Sequence, residues 1–101
     1  MPSSRRLRLT QEARDDLRDL LQYTFETWGR NQCDTYRALI RRTLRELAQY
    51  PGLGRKREEL GADLRSFPAG QHVVIYLLND QELVVTRIMH SGMDIEDDLY
   101  G

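Results

Sequence analysis

A small number of side chains in this sequence have the chemistry for catalysis or for binding a charged partner. His90 can act as a general acid or base, because an imidazole titrates near neutral pH. Arg65 and Arg87 can bind an acidic surface or a phosphate group. The alternative roles are structural: His90 would cap a strand or contact a partner, and the arginines would form ion pairs with Asp63 or Glu82. Residue types alone therefore leave both a catalytic site and a protein-binding site open.

The C-terminal segment is acidic. Asp94 could pair with Arg87, or it could be the N-cap of a short helical turn. Four carboxylates beside a phosphate-binding site would repel RNA, which argues against a nuclease at this end of the chain. These carboxylates belong to Asp94, Glu96, Asp97 and Asp98.

Composition predicts a single soluble globular domain over residues 1–101, with 40% hydrophobic and 31% charged residues. No apolar run approaches the roughly 20 residues of a membrane-spanning helix, and the basic N-terminus lacks the apolar segment of a signal peptide. Cys33 is the sole cysteine, so no intramolecular disulfide can form, and no Cys and His residues stand at metal-ligand spacing. We therefore expect a cytoplasmic protein without a metal or other cofactor and without membrane contact.

The net charge of −1 is divided unevenly along the chain. Residues 1–57 contain 13 Lys and Arg against 7 Asp and Glu, whereas residues 58–101 contain 2 against 9. The second predicted helix has a basic flank that comprises Arg37, Arg41, Arg42 and Arg45. No motif that reads a nucleic-acid groove and no set of stacking aromatic residues accompanies this basic flank, so a solvated helix face is favoured over sequence-specific nucleic-acid binding.

Hydrophobic periodicity predicts two consecutive helices. Thr10 is the expected N-cap of the first, whose apolar residues recur at helical spacing up to Trp28, and Gly29 is its expected C-cap. The second helix is expected over about 31–50, because Pro51-Gly52 cannot continue it. The short link between the helices predicts an antiparallel helical hairpin.

Further along the chain the hydrophobic period changes from 3.6 to 2, which predicts strands. The fold class is therefore α+β with the order β-α-α-β-β-β, in which the helical hairpin packs on one face of a small, mainly antiparallel sheet. The first strand is expected at an edge or in the middle. The other sheet face is expected to stay open for binding, with Arg65 and Arg87 on neighbouring strands pointing to it. Strands are expected over residues 6–9, 64–67, 72–78 and 83–90.

An ordered set of short motifs covers nearly the whole chain. The motifs are Trp28-Gly29, Pro51-Gly52-Leu53-Gly54, Leu64-Arg65-Ser66-Phe67, Ala69-Gly70-Gln71-His72-Val73-Val74-Ile75-Tyr76, Arg87-Ile88-Met89-His90 and Met93-Asp94. This ordered set resembles the ParE branch of the RelE/ParE toxin superfamily. One departure is that residues 59–65 lack the extra arginine, and the glycine before Arg65, that such proteins commonly show.

The resemblance implies a non-enzymatic toxin of a type II toxin-antitoxin system that inhibits DNA gyrase. It also implies a hetero-oligomer with a ParD-like antitoxin, which lies along a hydrophobic groove formed by residues that the sequence does not define. Target contacts are then expected at Arg65, Arg87, His90, Met93 and Asp94.

Two alternatives stay open on the same fold. One is a RelE-like ribosome-dependent mRNA endonuclease that uses His90 and Arg65 as catalytic residues. The other is an inactive toxin homologue that only binds its antitoxin, which the altered segment before Arg65 would explain.

Overall fold

Two helices form over the stretches whose apolar residues recur at helical spacing. In the computed structural model, which describes residues 4–91, helix α1 spans Gln11–Trp28 and helix α2 spans Arg30–Gln49. Thr10 caps α1, since its Oγ1 accepts a hydrogen bond from the backbone N–H of Ala13 at 3.2 Å. Gly29, with a φ of +89°, is the single residue between the helices. The predicted helical hairpin and both predicted caps of α1 are confirmed.

The sheet contains five strands in the spatial order β1-β5-β4-β3-β2. β1 pairs in parallel with β5 and is an edge strand, whereas the other pairs are antiparallel. β2 is a two-residue strand outside the predicted strands, because pairing with β3 selects an extended backbone there. A 3-10 turn, Pro51–Leu53, follows α2. The strands are β1 Arg6–Leu9, β2 Arg55–Lys56, β3 Arg65–Ala69, β4 His72–Leu78 and β5 Glu82–His90.

The main core lies between the hairpin and one face of the sheet. Each fully buried Leu, Ile or Val side chain contributes about 1.5–3 kcal/mol to stability, so this layer holds the helices on the sheet. In α1 and α2 it is formed by Ala13, Leu20, Ile40, Leu44 and Leu47, and in the sheet by Ala69, Val74, Tyr76, Leu83, Val85 and Ile88. Within residues 4–91, no helix combines the length and apolar character that crossing a membrane requires.

The second face of the sheet is partly covered, and the prediction of an open binding face is wrong at this point. Leu60, only 5% exposed, packs with Ile75 and Met89 in a smaller core cluster. A turn in the preceding loop brings Leu60 over the sheet, with its backbone N–H donating to the carbonyl of Arg57 at 2.9 Å. A charged loop therefore closes over this face because its apolar residues can be buried there.

An irregularity in the β4–β5 pairing changes the direction of the β5 side chains. Tyr76 pairs with Val85 and Ile75 pairs with Arg87, so Thr86 is an extra residue in β5. Val85 and Ile88 consequently both contribute to the main core, although they lie three positions apart. Arg87 lies in the part of β5 that extends beyond β1.

Candidate functional site

Arg65 contacts the turn that follows helix α2. Its Nη1 donates a hydrogen bond to the carbonyl of Gly54 at 2.8 Å. Tyr76 holds the same turn, because its hydroxyl donates to the carbonyl of Pro51 and accepts from the backbone N–H of Gly54, both at 2.8 Å. Arg65 is therefore bound to a backbone carbonyl. The structural role that the sequence indicated for it was different, an ion pair with Asp63 or Glu82.

Gly54 lies against the Tyr76 ring so closely that a side chain has no room. A Cβ atom on Gly54 would stand 2.1 Å from the Tyr76 hydroxyl oxygen. The backbone of Gly54 has a φ of −71°, which any residue can adopt, so close approach is the reason for glycine here. Burial raises the pKa of Tyr76 above its ordinary value, and the hydrogen bond from Gly54 and the charge of Arg65 oppose this effect. The hydroxyl is thus held in its neutral form.

Arg87 forms a two-point ion pair with Asp16 of helix α1. The Nε–Oδ2 distance is 2.8 Å and the Nη2–Oδ1 distance is 3.3 Å. Asp16 Oδ2 also accepts the backbone N–H of Ile88 at 2.9 Å, where β5 has passed the end of β1. Asp16 thus provides an acceptor for a sheet-edge N–H that lacks a strand partner.

Arg65 and Arg87 do not lie on neighbouring strands as predicted, because β4 separates β3 from β5. Arg65 also lies far from His90 along the sheet. Their β4 partners are Tyr76 and His72 respectively, four residues apart, which corresponds to about 13 Å along a strand. The structure therefore does not bring together the two residues of the predicted nuclease site.

His90 instead lies beside His72, which in turn contacts Tyr36. The ring centroids of His72 and His90 are 5.3 Å apart, and those of Tyr36 and His72 are 5.5 Å apart. The Tyr36 hydroxyl lies 2.5 Å from Nδ1 of His72. Burial, and secondarily the charge of His90, lower the pKa of His72, whereas burial raises the pKa of Tyr36. This cluster was not predicted, because only the β4–β5 register brings the two histidines together.

A mainly apolar groove of about 330 Å³ runs between β1 and the two helices. Arg37, Arg41 and Arg45 line it on one side, so part of the basic flank predicted to be a solvated helix face borders an apolar surface. The groove continues past Leu21 and Arg37 into a second depression beside Phe25 and Cys33. Its apolar lining consists of Leu7, Leu9, Leu17, Leu21, Ile40 and Leu44.

Two of the predicted target contacts, Met93 and Asp94, lie outside the described residues, as does the predicted helical turn near the C-terminus. Within residues 4–91, no three His, Cys, Asp or Glu side chains are grouped so that they could hold a metal ion. The described part of the site therefore consists of two arginines with internal partners and a pair of adjacent histidines.

Comparison with known proteins identifies the family. The family described as "ParE toxin of type II toxin-antitoxin system, parDE" matches residues 7–95. The chain is 32% identical over 87 residues to Toxin ParE1 of Caulobacter vibrioides, covering 86% of this chain and 90% of that protein. It is 34% identical over 88 residues to Toxin ParE of Escherichia coli, covering 86% and 85% respectively.

Solved structures support the same fold. The chromosomal ParDE TA system from P. aeruginosa matches with a TM-score of 0.74 at 17% identity, covering 86% of this chain and 96% of that one. The toxin-antitoxin complex RelBE2 from Mycobacterium tuberculosis matches with a TM-score of 0.61 at 22% identity, covering 87% and 99%. The family match and the sequence relatives together establish that the chain belongs to the ParE toxin family of type II toxin-antitoxin systems.

Proposed function

We propose that this ParE-family toxin inhibits DNA gyrase by direct protein contact, without catalysis, in the cytoplasm, and that a ParD-like antitoxin neutralises it. The observation that carries the proposal is the family match over residues 7–95, which spans every described helix and strand except the first residue of β1. Gyrase is the target that resemblance to the ParE branch implies.

The partners of the candidate catalytic residues favour a binding protein over a nuclease. RNA cleavage requires an acid, a base and cations that converge on one phosphate. Arg65 is bound to Gly54, and Arg87 is bound to Asp16, whose carboxylate offsets its charge. His90 lies about 13 Å along the sheet from the level of Arg65. The geometry of Arg65, Arg87 and His90 thus supports a role as target contacts better than a role in catalysis. Met93 and Asp94 are proposed as target contacts on the family resemblance alone.

The groove between β1 and the hairpin supports the antitoxin part of the proposal. Its leucine and isoleucine lining matches the apolar face of an amphipathic helix or extended segment, which is a common mode of peptide recognition. The arginines on its border favour an acidic partner. The similar structures from P. aeruginosa and M. tuberculosis are toxin-antitoxin systems, which agrees with a hetero-oligomer.

The first test is a gyrase supercoiling and DNA-cleavage assay with the purified chain, run beside an mRNA-cleavage assay on programmed ribosomes. We expect inhibited supercoiling, trapped double-strand breaks and intact mRNA. Cleaved mRNA with unaffected gyrase would establish the RelE-like alternative, and a His90→Ala variant would then be tested for loss of cleavage. Absence of growth arrest when the chain is expressed alone would favour the inactive homologue.

The target contacts are tested by replacing residues at the end of the chain. We expect Met93→Ala and Asp94→Ala, combined in one variant, to weaken gyrase inhibition by about tenfold or more, as loss of interface contacts typically does. Arg30→Ala, at an exposed position at the start of α2, is the matched control and should keep full inhibition. Unchanged inhibition in the double variant would move the target site elsewhere on the protein.

A further inference from the structure

The two histidines of this chain, His72 and His90, are direct cross-strand neighbours. The adjacent pair, Gln71 and Ser91, is joined by a hydrogen bond from the Ser91 N–H to the Gln71 carbonyl at 2.9 Å. Hydrogen-bonded and non-hydrogen-bonded pairs alternate in an antiparallel ladder, so His72 and His90 form a non-hydrogen-bonded pair. Side chains approach each other most closely at such pairs, which brings the two imidazoles together on one face.

The ring separation fits two ligands of one metal ion. Zinc binds imidazole nitrogen at about 2.0–2.1 Å, and two imidazoles on a tetrahedral ion therefore have centroids about 5 Å apart. The observed separation of the His72 and His90 centroids is 5.3 Å. Binding requires that one nitrogen of each ring point at a common ion, and His90 lies in an exposed position that such an ion can reach.

Tyr36 orients the imidazole of His72. Its hydroxyl oxygen lies 3.2 Å from the carbonyl of Ala69, 3.0 Å from the backbone N–H of Gln71 and 2.5 Å from Nδ1 of His72. All of these groups are satisfied when the hydroxyl donates to Ala69 and accepts from both Gln71 and a protonated Nδ1. The Nε2 atom of His72 then carries the lone pair that a metal requires, and Tyr36 holds the ring as an outer-sphere partner.

The surroundings admit a cation. A groove of about 270 Å³ lies beside both histidines and is large enough for an ion with bound water. Asp19 lines this groove, and the charge of Arg87, which also lines it, is offset by Asp16. Since no group of three His, Cys, Asp or Glu ligands exists within residues 4–91, the remaining coordination positions would hold water or an external ligand.

From this geometry we propose that His72 and His90 form a two-histidine site for a transition-metal ion of the imidazole-preferring class, Zn²⁺, Ni²⁺ or Cu²⁺. The ion links the end of β5 to the start of β4, beside helix α1. Metal binding is measured directly, so its test does not depend on gyrase inhibition or antitoxin binding, although His90 is also a proposed target contact.

The test uses the full-length chain without a histidine tag, freed of metal by a chelator and then transferred to chelator-free buffer. Zn²⁺ is titrated by calorimetry, and imidazole nitrogen signals are followed by NMR. We expect one Zn²⁺ per chain, a shift of the Nε2 signal of His72, and a rise in the melting temperature because metal binds the folded state. Mg²⁺, which prefers oxygen ligands, should produce none of these changes.

Three variants distinguish a chelate from adventitious binding to single imidazoles. His90→Ala and His72→Ala should each weaken Zn²⁺ affinity at least about tenfold, and Tyr36→Phe should weaken it about tenfold through loss of orientation. Tyr23→Phe, at a 65% exposed position in the same groove, is the matched control and should bind as the parent does. Because His90 is exposed, its variant remains informative if His72→Ala fails to fold. Absence of stoichiometric Zn²⁺ binding, or undiminished affinity in His90→Ala, would overturn the proposal.

Discussion

Asp16 and Arg87 lie 71 positions apart in the sequence, and their side chains meet at 2.8 Å where helix α1 crosses the edge of the sheet. The same carboxylate accepts the backbone N–H of Ile88. The Asp16–Arg87 contact is possible because the parallel strand β1 ends at Leu9. Beyond that point helix α1, and not a strand, lies beside β5. The contact gives Arg87 an internal partner that the sequence did not indicate. Of the two partners that the sequence did indicate, Glu82 pairs with Arg8, and Asp94 lies outside the described residues.

Replacing Asp16 should therefore destabilise the fold. Asp16→Ala removes the acceptor for both Arg87 and the Ile88 N–H, and hydrogen bonds that involve a charged group contribute about 1.5–3 kcal/mol. We expect a loss of that size in the free energy of unfolding, measured by urea denaturation. Asp19→Ala, on the same helix, removes an exposed surface pair with Arg18 and should change stability by less than about 1 kcal/mol. Equal losses in both variants would contradict this assignment.

Two glycines of the turn after α2 should respond differently to substitution by alanine. Gly54→Ala places a methyl group against Tyr76, and overpacking of this kind costs about 1–3 kcal/mol. A Cβ on Gly52 meets no atom within 4 Å, so Gly52→Ala should be neutral within about 0.5 kcal/mol. Thermal unfolding of both variants measures the difference. A stable Gly54→Ala variant would show that the Tyr76 ring can shift without loss.

Stability should decrease in mild acid because of His72. Burial lowers the pKa of folded His72 below its ordinary value of 6.5, so the unfolded chain binds a proton that the folded chain does not. The free energy of unfolding should therefore fall as the pH decreases from 6.5 towards the folded-state pKa, with a slope of at most about 1.4 kcal/mol per pH unit from this group.

Urea denaturation between pH 7 and pH 5, with a chelator present, measures this dependence. His72→Gln should have a shallower dependence on pH than the parent. His90→Gln is the control and should keep most of it, because burial is the larger cause of the shift at His72. An unchanged pH dependence in His72→Gln would assign the effect to another group.

Substitutions in the β1–hairpin groove should separate antitoxin binding from folding. Leu21→Glu places a charge in the partly exposed apolar lining, and Arg41→Glu reverses a charge on its border. We expect each to weaken binding of a ParD-like antitoxin by about tenfold or more, measured by calorimetry with an antitoxin that binds the parent chain. Arg30→Glu makes the same charge change outside the groove lining and should bind normally. Normal binding by both groove variants would place the antitoxin on another surface.

Much of the fold could be predicted because its signals are local. Thr10 and Gly29 mark the ends of α1 through capping chemistry that involves only nearby residues. The change of period from 3.6 to 2 locates the long strands, since burial of one face imposes that spacing. The short strand β2 and the covered sheet face could not be predicted in this way, because both depend on contacts with residues distant in the sequence.

For the candidate site, the sequence by itself determined the residue types, the family to which they point and the asymmetry of charge. Only the tertiary structure decided which side chains meet. It paired Arg87 with Asp16, directed Arg65 to Gly54 and set His90 beside His72. The physical reason is that the spacing of apolar residues along the chain indicates which face of a helix or strand each residue occupies. The partners of a side chain on other strands and helices depend instead on sheet order, register and bulges.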